Sequence, residues 1–309
     1  MRCNIFKKVR GYIKSARLES IIVTISFLLL GLYCATKELS LGLSLVGLLS
    51  VSLIVTAGSW QNYVFDIEVD KKSGKNIDFF KFISPREMFI VSIMAGIIGV
   101  CILYLIDFYA FLLGILEFLI FLIYAMPPFR FKSKIFFDFL SNMLVFGTIP
   151  FLIGFRIANA PIYLDSMLLG LILGLLAGSY YLFISGFEID ADRKANVRNT
   201  CVKLGFKNNS YLAFFVFFAS MSSFILLFNF SNIVIVVGFF VSCPFVLLTL
   251  FTKKIQKVIV LVSFMFIFWN GSVLLLLSIF TKSILSIAFF VILLTIFIMA
   301  VYTWMVTEI

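Results

Sequence analysis

Long apolar runs separated by brief polar breaks organise this chain. Ten of them stand at roughly 18–36, 41–62, 88–106, 108–125, 135–155, 163–186, 211–229, 232–251, 257–280 and 283–306. Each reaches about 18–25 residues, the length an α-helix needs to cross ~30 Å of hydrocarbon. A helix satisfies its own backbone hydrogen bonds where no water can. The pattern therefore predicts an all-α, polytopic transmembrane helix bundle. The long polar stretches are 63–87 and 187–210, with a smaller one at 126–134. No linker or low-complexity tract interrupts the sequence, so residues 1–309 read as a single membrane-embedded domain.

Composition agrees: 62% of the residues are hydrophobic and 13% are charged, a balance foreign to a soluble domain of this length. A net charge of +10 would suit a nucleic-acid binder, but its distribution argues against one. With the N-terminus cytoplasmic and the sides alternating, one face receives Arg2, Lys7, Lys8, Arg10, Lys14 and Arg17, then Lys71, Lys72, Lys75, Lys81 and Arg86. It also receives Arg130, Lys132 and Lys134, then Arg193, Lys194, Arg198, Lys203 and Lys207, and finally Lys253, Lys254 and Lys257. Those are 22 of the 25 basic residues, leaving Lys37, Arg156 and Lys282 outside. This is the positive-inside bias of an integral membrane protein, and it puts the long polar stretches in the cytoplasm. A prokaryotic cell membrane is the expected location. The first run follows basic residues, as a signal peptide does, but it is full length without a small-residue cleavage site and reads as a retained helix. Five cysteines lie scattered without metal or disulfide spacing. The absence of histidine removes His-based triads and metal sites.

Candidate chemistry concentrates in the two cytoplasmic stretches, which hold eight of the fifteen carboxylates. Phe65-Asp66-Ile67-Glu68-Val69-Asp70-Lys71 is echoed by Phe187-Glu188-Ile189-Asp190-Ala191-Asp192-Arg193. The echo suggests a duplicated helical unit. Asn62, Asp66 and Asp70, spaced by four, share one face of a helix that extends the second run. Glu188 and Asp192 share the same spacing, with Asp190 on the other side if that segment is helical. Oxygen ligands of this kind suit Mg²⁺, which takes one or two carboxylates and completes its shell with water and phosphate oxygens. Two such sites would clamp a diphosphate and help it leave. Each string can also be read as solvated charge or helix-end capping. Arg130 and Lys132, in the turn Tyr124-Ala125-Met126-Pro127-Pro128-Phe129-Arg130-Phe131-Lys132, would contact phosphate, although topology alone explains basic residues there. Lys75 and Arg198 follow the first and second acidic strings in the same way. Glu117 lies mid-run, where an ionisable group usually faces a bundle interior.

These residues resemble the UbiA-type intramembrane prenyltransferases from about residue 15 to beyond residue 250. The first family motif, Asn-x-x-x-Asp-x-x-x-Asp, is met by Asn62, Asp66 and Asp70, with Tyr63 where many members have Asp. The second, Asp-x-Glu-x-Asp-Arg followed by Arg-Thr and Leu-Gly, corresponds to Glu188-Ile189-Asp190-Ala191-Asp192-Arg193, then Arg198-Asn199-Thr200 and Leu204-Gly205. Glu188 replaces the leading Asp. The family turn matches Tyr124, Pro128, Arg130 and Lys132, and Arg17 before the first helix also fits. The Arg-Pro-rich string common after the first motif is missing. Members typically have nine helices, so the count here is nine or ten: either 283–306 is an added C-terminal helix or one of the ten runs is not a span.

The resemblance implies a bundle around a central cavity opening to lipid. It implies Mg²⁺ held by Asn62, Asp66, Asp70, Glu188, Asp190 and Asp192, and a polyprenyl diphosphate contacted by Asn62, Lys75, Tyr124, Arg130, Lys132 and Arg198. Asp66, Asp70, Glu188 and Asp192 would be the catalytic carboxylates. The implied activity is prenyl transfer to an aromatic or other lipophilic acceptor. Two rivals stand beside it. One is a terpene cyclase or diphosphate-releasing enzyme of the same fold. The other is a transporter, which predicts ionisable residues deep in several helices. Partners are then the prenyl diphosphate, a small or lipid-like acceptor and membrane lipid, with no nucleic acid. The residues carry no signal for an oligomeric state.

Overall fold

The computed structural model describes residues 2–36, 41–73 and 77–227. The runs at 232–251, 257–280 and 283–306, and with them the choice between nine and ten helices, lie outside the described residues. Among the described residues nine helices run in order: α1 Arg2–Ser15, α2 Leu18–Thr36, α3 Leu41–Ser73, α4 Pro85–Tyr104, α5 Phe108–Ala125, α6 Phe137–Met143, α7 Ile149–Ile157, α8 Leu164–Lys194 and α9 Thr200–Leu227. A π-helical turn, Leu144–Thr148, joins α6 to α7 into one span. Six segments among the described residues are long and apolar enough to cross a membrane. The protein is all-helical and multi-pass, as the hydropathy pattern predicts.

Two helices outrun the apolar pattern. α3 has 33 residues and α8 has 31, so each is roughly 45–50 Å long at 1.5 Å per residue, against ~30 Å of hydrocarbon. The polar stretches that follow the second and sixth runs are therefore not loops at their beginnings. Both acidic strings ride on helix ends that continue beyond the lipid-length portion. Helix starts are set by local capping. Ser84 Oγ accepts from Glu87 N at 3.1 Å, with Pro85 opening α4. Asp107 accepts from Ala110 N at 2.7 Å to open α5. Such caps satisfy amides that have no intrahelical acceptor.

α3 packs on α4 and α5, α2 on α7, α8 on α9 and the π turn, and α3 meets α8. Small residues allow the closest crossing. Gly31 of α2 lies against the Phe151 carbonyl of α7, and Gly154 of α7 against the Leu28 carbonyl of α2. Lipid offers no hydrophobic drive between helices, so close backbone approach of this kind supplies packing. One core runs through the bundle, with Phe27, Leu28, Ile54, Phe151 and Leu173 buried. Ile90, Met94 and Ile97 on α4 and Leu112, Leu116 and Leu119 on α5 face outward, as lipid-contacting positions would. Alternation of the spans brings the ends of α3, α5 and α8 together with the starts of α2, α6 and α9. The candidate chemistry sits at that end.

Candidate active site

On α3, Asn62, Asp66 and Asp70 recur once per turn on one face. That face is turned inward: Asp66 is 6% exposed and Asp70 5%, while Glu68 between them is exposed. The turn after α5 answers Asp66 with two cations. Arg130 Nη2 donates to Asp66 Oδ1 at 3.1 Å, and Lys132 Nζ pairs with Oδ2. Lys132 also donates to Asn62 Oδ1 at 3.3 Å. Arg130 adopts a left-handed backbone, φ 39°, which costs a non-glycine residue. Bonds from Arg130 N to Met126 O and from Ser133 N to Arg130 O, both 2.9 Å, hold that geometry. Basic residues here thus do more than satisfy topology.

α8 presents its string to the same region. Glu188 and Asp192 are half-buried, and both carboxylates are felt by the Lys132 ammonium. Asp190 is turned away. Its side chain is 92% exposed and reaches only Arg193, at 4.0 Å. Helix geometry separates it from Glu188, because a residue two positions on falls about 200° around the axis, the side on which a helical reading of the string puts it. Arg198 is exposed. Lys75 lies outside the described residues. Glu117 is fully buried on α5, without a hydrogen-bond partner among the described residues. It lies about 10 Å along the helix axis from Tyr124.

Arg17 completes the cationic side. It sits 4.9 Å from the Tyr63 ring centroid, so the residue that departs from the usual motif serves as its platform. Burial works against the guanidinium charge, but Tyr63, Glu19 and Glu188 outweigh it and raise the group further. Lys132 is the opposite case. Burial, and then the charge of Arg17, pull its ammonium down to about 7, against the pull of Asp192 and Glu188. The direct pairing with Asp66 favours the charged form, so the lysine remains an ammonium while Asp66 is ionised.

Several residues at this end escaped the sequence reading. Asn199 caps α9, its Oδ1 accepting from Val202 N at 2.9 Å, and its Nδ2 donates to Asp192 Oδ2 at 2.6 Å. One side chain thus fixes a helix start and orients a motif carboxylate. Beneath it, buried Asp138 accepts from Thr200 Oγ1 at 2.5 Å, from Thr200 N at 2.9 Å and from Tyr181 Oη at 3.0 Å. Tyr124 reaches Tyr181 and Asn142 by hydrogen bonds. This network ties α5, α6, α8 and α9 below the carboxylates. The available signal was Asp138 itself, an acid inside the apolar run 135–155, where ionisable residues usually have a role. Gly205, at φ 75°, breaks α9 just after its first turn and accounts for the Leu-Gly of the second motif.

Among the described residues, no three Cys, Asp or Glu side chains come close enough to cage one ion. The donor set still fits a hard divalent cation. It is all oxygen, delivered from two helices, and Mg²⁺ needs only one or two carboxylates when phosphate and water complete the shell.

The sequence matches the UbiA prenyltransferase family over residues 23–270. No curated protein matches it. Among solved structures it is similar to a UbiA homolog from Archaeoglobus fulgidus bound to GPP and Mg²⁺, with 19% identity, a TM-score of 0.60, and 95% of this chain and 98% of that one covered. It is also similar to a digeranylgeranylglyceryl phosphate synthase, with 19% identity, a TM-score of 0.65, and 89% and 99% covered. A UbiA homolog from Aeropyrum pernix K1 aligns with 18% identity, a TM-score of 0.64, and 82% and 95% covered. The shared fold agrees with the helical bundle described above, and the family match takes in both acidic strings and the turn that answers them: this chain belongs to the UbiA prenyltransferase family.

Proposed function

We propose that the protein moves a prenyl group from a prenyl diphosphate to an aromatic or other lipophilic acceptor, with Mg²⁺, on the cytoplasmic side of the membrane. What supports this reading is Lys132, which pairs with Asp66 of α3 and feels the charges of Glu188 and Asp192 on α8, with Arg130 also on Asp66 and Arg17 feeling Glu188. Family membership supports it, as does the Archaeoglobus relative bound to GPP and Mg²⁺.

Asn62, Asp66, Asp70, Glu188 and Asp192 are the groups that would hold Mg²⁺. When bound, Mg²⁺ supplies neutralisation of the leaving diphosphate. Lys132 and Arg130, which pair with Asp66, would turn to phosphate oxygens, Arg130 by paired N–H donors and Lys132 as a point charge. Arg17, kept charged against burial, adds to the same field. The allylic C–O bond breaks with its electron pair going to the diphosphate, and the acceptor's nucleophile forms the new bond and releases its proton. Tyr124, whose hydroxyl is hydrogen-bonded to Asn142 and Tyr181, would offer its ring to the allylic cation.

The test is protein reconstituted in vesicles and given prenyl diphosphates of several lengths with a panel of acceptors, with and without Mg²⁺. Products are identified by mass spectrometry. Mg²⁺-dependent prenylated product is expected. Release of diphosphate with a cyclised or hydrolysed prenyl product would replace transfer by the alternative chemistry, and no Mg²⁺-dependent turnover would reject the enzyme reading. Cysteines placed at positions 74 and 196 report the side; labelling of both only from the outer face would reverse it.

A further inference from the structure

The N-terminal helix α1 divides into three faces at 3.6 residues per turn. Lys8, Gly11, Tyr12 and Ser15 face the protein. Lys8 Nζ lies 2.8 Å from Glu87, Trp60 Nε1 donates to Tyr12 O at 3.3 Å, and Gly11 rests on Phe79 and Ile83. Ile5, Phe6, Val9 and Ile13 form a second, exposed face, with Phe6 76% accessible. Lys7, Arg10 and Lys14 form the third, between the other two, and all three are exposed. α1 contains five basic residues and no acid.

The helix is joined to the first span by Ala16 and Arg17, and Arg17 at φ 51° turns the chain between them. The apolar face therefore begins at the border of the hydrocarbon. A strip of Ile, Phe and Val flanked by cations is what an interfacial helix presents to lipid, its apolar side among the acyl chains and its cations at phosphate level. We propose that α1 lies in the interface and docks on anionic phospholipid, with Phe6 and Val9 in the acyl region and Lys7, Arg10 and Lys14 against headgroup phosphates. A partner protein or a second copy would not require the cation strip beside the apolar one. Negative lipid does, at about 1 kcal/mol per basic residue near the surface. Because α1 grips Trp60, two residues before Asn62, this docking also seats the motif end of α3.

The experiment places the photo-crosslinker benzoylphenylalanine at position 6, 9 or 10 of the full chain. Each protein is reconstituted in vesicles of phosphatidylcholine alone or with added phosphatidylglycerol, and adducts are read by mass spectrometry. Lipid adducts at positions 6 and 9 should exceed those at 10 several-fold, with a further gain in the phosphatidylglycerol vesicles. The variant Lys7→Gln/Arg10→Gln/Lys14→Gln should lose that gain. Equal yields at all three positions, or adducts at 6 and 9 to protein instead of lipid, would overturn the proposal. Yields indifferent to phosphatidylglycerol would overturn the choice of anionic lipid.

Discussion

Asp66 separates chemistry from stability most sharply. Its carboxylate is buried and paired with Lys132, also buried, and with Arg130 at 3.1 Å. Removing one partner of a buried pair leaves an uncompensated charge, a loss of about 3–5 kcal/mol, whereas removing both is often close to neutral. Asp66→Asn should therefore cost ~3 kcal/mol, because Arg130 is near enough to water to recover part of its solvation while Lys132 is not. Lys132→Met should cost ~2 kcal/mol, since Arg130 still answers the carboxylate. The double variant should cost no more than about 1–2 kcal/mol, a coupling of ~3 kcal/mol instead of additivity. Unfolding of purified protein in mixed micelles by sodium dodecyl sulfate, without Mg²⁺, measures all three. All three variants should also lack turnover, so activity alone would not reveal the difference. If each single change cost under about 1 kcal/mol, as for a solvated surface pair, or if the costs simply summed, Asp66 would not be the buried partner described here.

Other outcomes follow from the same geometry. Asp192→Ala should abolish Mg²⁺-dependent product formation, while Asp190→Asn, at a 92% exposed position, should stay near wild type. Glu188→Asp should keep substantial activity and Glu188→Gln should not, measured as Mg²⁺ titrations; robust Glu188→Gln with dead Asp190→Asn would move the site by two residues. Asn199→Ala should lose about 1 kcal/mol as an N-cap and weaken Mg²⁺ dependence by roughly tenfold, if its charge-assisted bond to Asp192 is worth ~1.4 kcal/mol. Asn199→Ser should recover the cap but not the Mg²⁺ response. At the opposite end, burial pushes the Asp107 carboxyl up, but bonds from Arg156 and Ala110 N outweigh it and hold it below its ordinary value. That stabilisation is present above the unfolded value, ~3.9, and is lost as pH falls through the lower folded one. Thermal midpoints measured down to this range should fall for wild type and stay flatter for Asp107→Asn.

Among the described residues, hydropathy alone sufficed for the six spans, because lipid forces every crossing segment into a helix of set length. The run 108–125 coincides with α5, Phe108–Ala125, and 18–36 with α2, Leu18–Thr36. Where apolar residues stop, that force stops too: the i, i+4 spacing of polar residues extends the second run as a helix through Asp70, but nothing in the pattern fixes the ends of α3 and α8 at Ser73 and Lys194. The i, i+4 spacing of Asn62, Asp66 and Asp70 was legible as one helical face, since it depends only on helix period. That this face is buried, and that Asp66 is matched by Lys132 and Arg130, depends on where the turn after α5 lies against α3. Asp190 shows both sides of this. Helix period alone puts it opposite Glu188, but that the Glu188 side faces inward and the Asp190 side outward depends on the rotation of α8 against the bundle. Asn199, Asp138 and Arg17 act across 7, 62 and 46 positions of chain, toward Asp192, Thr200 and Tyr63. Local periodicity carries no information over the longer of those separations; only the packing of helices that bring distant residues within about 3–5 Å decides it.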